Sequence, residues 1–533
     1  MLKRIMTVGG LTLVSRLTGF LRDIMLAAIL GAGPVADAFF IALRLPNHFR
    51  AIFAEGAFNA AFIPAYARVR GESGDTPARL FADRVFTMLM AAEGLLLAAA
   101  LLFTPATLSV LAPGFSSHPQ RFALAVELTR ITFPYLVLVT LVTLYGGILN
   151  ALSRFAAPAA APILLNLSMM ATLSVAAWFS SAAHAAAWGV LIAGVLEALL
   201  VGLDLRHHDR LPSFRALALD DDVRRFFRAL GPAVLGSAGT QIAVFADTII
   251  ASFLAAGAVS ALYYADRIEQ LPIGVIGIAV GTVLLPEMSR LIARGEERAA
   301  RRAQDRAIEF VLVLAIPCVA AFATVPTLIM LALYSRGAFT ASDAAAAGAT
   351  LAAYAIGLLP FVMLRAVSAT FLARGDTATP VWALAAGVAV NVALKILLMD
   401  RYAQVGLAFA TSVGVWVNFG LLVWFAMRAQ LLSIDDRLRS SVMRLGLAGL
   451  AMAAVLVVAA GPVQSLCAGL GALRFIAPLG ILAVLGAGVY GGAVLLLAGR
   501  AWLRALAGRD AAPGGPRSGA PEAAGCAGEE TGA

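Results

Sequence analysis

The sequence predicts an all-α polytopic membrane protein of about fourteen transmembrane helices, built as two pseudo-symmetric six-helix lobes plus two C-terminal helices. Three observations predict it. Of the 533 residues, 61% are hydrophobic and only 13% charged, against roughly 25% charged in soluble domains. Apolar runs of about 20 residues or more recur along nearly the whole chain, and a helix of that length crosses about 30 Å of hydrocarbon. The chain also repeats itself at a period of about 224 residues. A β-barrel is excluded, because its strands would be about ten residues long and would alternate apolar with polar.

Read between charged and Pro/Gly breaks, the spans fall near 5–31, 36–63, 80–112, 123–150, 158–180, 184–204, 230–256, 262–290, 307–333, 344–371, 379–400, 404–428, 440–461 and 472–499. Several exceed 25 residues, so tilt, kinks or extensions beyond the bilayer are expected. Met1-Leu2-Lys3-Arg4 resembles a signal-peptide start, but the apolar run continues past Arg16 without a small-residue cleavage site, so it reads as an uncleaved first span. Most of the 40 Lys and Arg fall on the side of the N-terminus, with Arg121, Arg336, Arg401 and Arg474 on the other. The positive-inside rule then places both termini in the cytoplasm, and the chain is expected in the cell inner (plasma) membrane. It also accounts for the net charge of +9 without nucleic acid. The clusters Arg206 to Arg228 and Arg290 to Arg306 orient helices and touch anionic headgroups.

The repeat is visible residue by residue. FLRDIMLAAILGAGPVADAFF from Phe20 matches VFADTIIASFLAAGAVSALYY from Val244, setting Asp23 opposite Asp247 and Phe39-Phe40 opposite Tyr263-Tyr264. Pro64 in FIPAYARV matches Pro286 in LLPEMSRL, and Arg154 with Pro158 matches Arg374 with Pro380. Six spans separate the copies. An even number sets both copies facing the same way, with a pseudo-two-fold axis along the membrane normal and a cavity between the lobes. The expected organisation is an N-lobe over 1–205, a cytoplasmic amphipathic linker over 206–229, a C-lobe over 230–430, spans 13 and 14 over 431–505 and a disordered tail over 506–533. The linker reads as an interfacial helix, since its arginines alternate with Leu211, Phe214, Leu217, Leu219, Phe226 and Phe227.

Function is carried by charges inside the spans. Each arginine at mid-bilayer depth costs about 2.5 to 3.5 kcal/mol on insertion scales, so several in one region require water or a partner. Span 1 carries Arg16, Arg22 and Asp23; span 2 carries Asp37, Arg44 and Arg50; span 8 carries Asp266 and Arg267. On an ideal helix Arg16 and Asp23 share a face with Thr12 and Gly19, and Arg22 points about 120° away. Pro46 interrupts span 2 between Arg44 and Arg50 and frees a carbonyl there. One such arginine alone reads equally well as a snorkelling or salt-bridged residue. Arg16, Arg50 and Arg267 together read as an anion site, because guanidinium binds phosphate oxygens bidentately and stays charged. Asp37 follows the short loop Gly31-Ala32-Gly33-Pro34 and is expected at an external gate, pairing with an arginine; its simpler reading is a helix N-cap. Asn47 and Glu55 are expected to orient Arg50 or to close the cytoplasmic gate. No Walker A motif, cysteine pairing or metal-ligand spacing occurs, so no cofactor, metal or nucleotide is expected.

The motifs SRLTGFLRD, GAGPVADAFF, LPNHFRAIFAEGAFNAAFIP, APGF, ITFPY, ILNALSRFAAPA, YYADRIEQLP and GVIGIAVGTVLLP resemble the MurJ (MviN) lipid II flippases of the MOP exporter superfamily. The resemblance covers most of residues 1–430, is most specific over the first 65, and weakens in spans 13 and 14. It implies a V-shaped pair of lobes, a transporter rather than an enzyme, and export of undecaprenyl-pyrophosphate disaccharide-pentapeptide. The family's cavity arginines carry over to Arg16, Arg22, Arg50 and Arg267, its acid to Asp37, and a basic position in span 10 to Arg365. Spans 13 and 14 would form a groove for the polyprenyl tail, and the cell-wall synthesis machinery is an expected partner. Some members bind sodium through an acid in span 7 and polar residues in span 11. Here Asp247 is available, but Asn391 and Lys395 share one helical face at i,i+4, and Lys395 is expected to pair with Asp247 in place of the ion.

The alternative within the transporter class is a flippase for another polyprenyl-linked oligosaccharide, or a drug exporter of the same superfamily. A cation exporter would show carboxylates without this group of arginines. A membrane glycosyltransferase would need acidic or histidine groups in a sizeable external loop, whereas the external loops here are short and His118 and His184 stand alone. A non-transporting scaffold would leave the cost of the buried arginines unexplained.

Overall fold

The computed structural model describes residues 2–53, 57–432 and 436–506, and every regular element within them is helical. The first half comprises α1 (Leu2–Leu30), α2 (Pro34–Phe53), α3 (Ala57–Ser73), α4 (Asp75–Leu102), α5 (Thr104–Leu111), α6 (Pro119–Thr132), α7 (Tyr135–Ala151), α8 (Ala156–Ser174) and α9 (Ala182–Arg206). The second comprises α10 (Asp221–Ser252), α11 (Ala258–Ala293), α12 (Glu297–Thr324), α13 (Pro326–Tyr334), α14 (Ala341–Leu372) and α15 (Ala378–Arg428). A final pair follows, α16 (Asp436–Cys467) and α17 (Ile476–Leu506). Glu55 and the tail beyond 506 lie outside the described residues.

Among the described residues nine helical stretches are long and apolar enough to cross a membrane: α4, α6 continuing into α7, α8, α9, α12, α14, α15, α16 and α17. The helices α1, α2, α10 and α11, of 29, 20, 32 and 36 residues, are missing from that set, and they carry the charged residues described below. The 51-residue α15 is two arms, because Ala403 at φ 45° turns the chain back on itself. Within the first half α1 packs on α8, α8 on α9 and α2 on α6; within the second α11 packs on α14 and α14 on α15. The α16–α17 pair packs on α12. The halves interlock where α10 lies against α2 and α3 and α11 reaches α2.

The end expected to face outside is sealed by backbone contact. Gly31 ends α1 at φ +65°, and a Cβ there would stand 2.6 Å from the carbonyl oxygen of Ala338. Only glycine lets these two turns meet. Ala338 N donates to Ala28 O at 2.7 Å, and Tyr264 Oη donates to Gly31 O at 3.1 Å. Beneath the loops Phe40 stacks on Tyr263 with ring centroids 3.9 Å apart, so the aromatic pairs that mark the repeat meet across the lobe boundary.

Pro46 costs α2 less than its sequence suggests. It removes the N–H that would bind Ala42 O, and Thr132 Oγ1 on α6 donates to that oxygen at 2.9 Å. The helix therefore continues through the proline.

The linker departs from expectation. Residues 210–220 form an extended strap rather than an amphipathic helix. Pro212 lacks a donor and restricts the residue before it. The donors a helix would need next are taken by α4: Ser213 N donates to Asp83 Oδ1 at 2.8 Å and Arg215 N to Thr87 Oγ1 at 2.9 Å. Arg210 and Asp220 pin the two ends of the strap, to Asp75 and Arg84. Phe214, Leu217 and Leu219 remain exposed.

Candidate functional site: a charged chamber between the lobes

A chamber of about 560 Å3 lies between α1 of the first half and α10, α11, α14 and α15 of the second. Its arginines are Arg16, Arg22, Arg267 and Arg365, and its carboxylates Asp23, Asp247, Asp266 and Glu269. The lining is therefore charge-balanced by count, and its chemistry depends on how the charges pair.

Asp23 is the hub. It is buried, and its Oδ1 accepts from Arg22 Nη2 at 2.8 Å, Arg22 Nε at 3.1 Å and Tyr263 Oη at 3.1 Å. Arg267 Nε lies 3.7 Å from its Oδ2, with the guanidinium 4.8 Å from the centre of the Tyr263 ring. Two guanidiniums thus share one carboxylate, leaving a net charge of +1 held in place before any ligand arrives. Arg22 does not point away as the ideal projection of α1 suggests. The helix is continuous from Leu2 to Leu30, but the side chain is long enough to reach back to Asp23 and across to α8. There Arg22 Nη1 donates to Asn166 Oδ1 at 2.9 Å, while Asn166 Nδ2 donates to Ser15 O at 3.0 Å and Thr18 Oγ1 at 3.1 Å.

Arg16 and Arg365 supply the remaining positive charge. Both press on α11 where it carries glycine. The Arg16 guanidinium occupies the space a Cβ on Gly274 would fill, and Arg365 Nε lies 2.9 Å from where a Cβ on Gly277 would stand. Gly274 and Gly277 thus form a notch about one turn long that brings two arginines, one from α1 and one from α14, toward the same stretch of chamber. The other carboxylates are partly answered. Asp247 is ion-paired with Lys395, whose side chain is 2% exposed. Asp266 Oδ2 accepts from Gln270 Nε2 at 2.6 Å. Asn391, one turn before Lys395, is buried against Gly414, and its Oδ1 has no hydrogen-bond partner.

The residues expected on α2 lie elsewhere. Arg50 is not among the chamber's lining residues; it sits on the last turn of α2, which packs on α6 and α10, and its Nε donates to Asn47 Oδ1 at 3.1 Å. Asn47 is fixed in turn by Leu43 O at 3.0 Å. Asp37 is at the sealed end and touches none of the chamber arginines. With no exposed surface, it accepts from Arg121 Nη2 at 2.8 Å, Gly257 N at 2.7 Å, Ser260 N at 2.8 Å and Ser260 Oγ at 2.5 Å. Its first-half carboxylate therefore caps the N-terminus of second-half α11, the partial positive end of that helix. Its cationic partner Arg121 is buried and stacked 3.8 Å over Phe115. Sequence reasoning treated Arg121 only as an exception to the charge bias, and it gave no role to Asn166, Glu269, Gly274 or Gly277. Arg121 was findable, since a lone arginine on the sparsely charged side needs a reason. The sequence around Asn166 carries no comparable signal.

A family model described as lipid II flippase MurJ matches residues 26–476. The chain belongs to the MurJ family. A relative from Rhizobium meliloti (strain 1021), described as a probable lipid II flippase MurJ, is 41% identical over 469 residues, covering 86% of each chain. One from Burkholderia cenocepacia, described as lipid II flippase MurJ, is 33% identical over 433 residues, covering 80% of this chain and 83% of its own. The fold is similar to a solved MurJ in an inward closed conformation, at TM-score 0.77 and 23% identity over 92% of this chain and 98% of that one. It is also similar to an inward-facing multidrug MATE transporter of the MOP superfamily, at TM-score 0.66 and 15% identity over 78% and 95%. The chain is a multi-pass membrane protein of the MurJ family, as its resemblance implied.

Proposed function

We propose that this protein carries lipid II from the cytoplasmic to the periplasmic leaflet of the inner membrane by alternating access, as a transporter with no catalytic chemistry of its own. Membership of the MurJ family supports the cargo, and one observation supports the mechanism: Arg22 and Arg267 share the single carboxylate of Asp23 within a chamber that also holds Arg16. A pyrophosphate brings negative charge and several acceptor oxygens, which suit converging guanidiniums. Each charge-assisted hydrogen bond is worth about 1.5 to 3 kcal/mol net, enough to replace lost hydration without trapping the cargo. Asp23 limits the affinity further, because it competes for the same two guanidiniums.

The nine apolar stretches, the second arm of α15 and the four charged helices α1, α2, α10 and α11 together make the fourteen spans of this reading, with both termini cytoplasmic. The lobes are 1–205 and 230–430, joined by the strap, and α16 and α17 hold the polyprenyl tail. The end bearing Gly31 and Asp37 is then the periplasmic gate, closed here. Opening it breaks the four bonds to Asp37 and exposes Arg121 to water, so Arg121 rather than a chamber arginine is the partner Asp37 releases. In the C-lobe, Lys395 acts as a tethered cation on Asp247, and the cycle needs no sodium ion at that position. Arg50, oriented by Asn47, serves the cytoplasmic side of the path together with Glu55.

The test is depletion of the protein followed by measurement of lipid II in each leaflet. Accumulation on the cytoplasmic leaflet, reversed by the wild-type chain and not by an Arg16→Gln, Arg267→Gln variant, is the expected result. Unchanged distribution on depletion would overturn the assignment.

A further inference from the structure

A second cavity, of about 540 Å3, lies beside the chamber between α11, α14 and the two arms of α15. Phe361 and Arg365 line both spaces, so these two side chains form the partition. On α14, Arg365, Ser368 and Leu372 follow at helical spacing and present one face to the cavity. Leu384 and Leu422 from the two arms of α15 contribute apolar wall. A volume near 540 Å3 is within the range of about 300 to 1,000 Å3 typical of small-molecule sites.

Three polar groups stand in this apolar setting. Arg365 has no hydrogen bond or ion pair among the described residues, although Gly277 is placed to let its stem cross α11. Ser368 lies one turn further along the same face. Asn418 is 92% buried, from a relative exposure of 8%, and its Oδ1 has no hydrogen-bond partner. A buried amide oxygen left unanswered is uncommon in folded proteins, and a ligand is one way to answer it. A fixed cation, an amide that can both accept and donate, a hydroxyl and aliphatic walls match one chemical class: a short peptide end with a carboxylate, backbone amides and small apolar side chains. A pyrophosphate fits the several arginines of the main chamber better than the single one here. A polyprenyl chain would leave all three polar groups unanswered.

We propose that this side cavity receives the peptide arm of the lipid-linked cargo, with Arg365 binding a peptide carboxylate and Asn418 accepting from a peptide amide. This rests on the reading above that the cargo is lipid II. Arg365 then serves as a specificity-determining residue, distinguishing precursors that carry the acidic peptide from lipid-linked sugars that lack it.

The test measures binding to the purified full-length protein in nanodiscs by three lipids: lipid II, lipid II with its peptide carboxylates converted to amides, and the same lipid-linked disaccharide without peptide. Wild type is expected to bind lipid II about tenfold more tightly than the amidated form, the value of one charge-assisted hydrogen bond. Arg365→Gln is expected to bring that ratio to about one. Ser368→Leu, which fills the cavity without touching the charge, is expected to lower the preference for peptide-bearing over peptide-free lipid. Equal wild-type affinity for lipid II and its amidated form overturns the proposal while leaving the flippase reading intact, as does a tenfold preference that survives in Arg365→Gln. Failure of wild type to bind any of the three overturns both.

Discussion

Replacing Asp37 by Asn tests the gate at its most constrained point. The side chain keeps its shape, but the carboxylate has no exposed surface and four donors converge on its two oxygens: Arg121 and Gly257 on one, the backbone and hydroxyl of Ser260 on the other. Whichever way the amide is turned, its NH2 faces a backbone N–H, and Arg121, itself only 6% exposed, loses its counter-charge. Breaking a buried pair by removing one partner costs about 3 to 5 kcal/mol, because the other charge remains buried and uncompensated. An outward-open gate would let water reach Arg121, so the cost falls on the closed state alone. The equilibrium should shift toward open by roughly two to three and a half orders of magnitude. Spin labels at Val35→Cys and Ala255→Cys, in a chain whose native cysteines are replaced, report the gap across the gate. The wild-type chain should show one short distance and Asp37→Asn a longer population. Asp37→Asn combined with Arg121→Gln should restore much of the short distance, since the orphaned charge is gone. An unchanged distance distribution in Asp37→Asn would refute the latch, and so would a double variant no more closed than the single.

Other outcomes follow from the same geometry. Lys395→Ala leaves Asp247 without its cation and should lower stability by about 1 to 2 kcal/mol, less than for a fully buried pair because the remaining carboxylate is 35% exposed and can be hydrated. Sodium should raise the melting temperature of that variant and not of wild type; a sodium effect on wild type that vanishes in Asp247→Asn would contradict the tethered-cation reading. Asn166→Leu removes the acceptor that holds Arg22 and should cost about 1.5 to 3 kcal/mol of stability by thermal unfolding, with slower lipid II translocation. Asp83→Ala with Thr87→Val should free the strap, seen as faster amide exchange at Ser213 and Arg215 with the core helices unchanged.

Much of the fold was legible because lipid imposes simple rules. Length and polarity of the apolar runs locate helices, and the match of Asp23 with Asp247 marks the repeat in the sequence itself. Arg16, Arg22, Asp23 and Arg267 could be singled out by the insertion cost of a charge in a span. Their arrangement could not. An ideal helical projection assigns Arg22 a direction from its Cα, while a guanidinium on a long stem goes where a partner waits, here Asp23 and the amide of Asn166. The charge bias placed Arg121 outside and so hid its pairing with Asp37. The strap over 210–220 was misread because its alternating basic and apolar residues match an interfacial helix; what decides it is capture of the Ser213 and Arg215 amides by Asp83 and Thr87, residues about 130 positions earlier. Gly274 and Gly277 looked like ordinary small residues of a membrane helix, yet they leave the space that Arg16 and Arg365 occupy.

The most direct test of the account is lipid II translocation by the purified protein in proteoliposomes, comparing wild type with Arg16→Gln, Arg267→Gln. The account requires wild type to move the lipid and the variant, still folded by its melting temperature, to lose at least nine-tenths of that rate, about 1.4 kcal/mol or more. A variant that translocates lipid II at the wild-type rate would contradict the claim that these arginines carry the pyrophosphate.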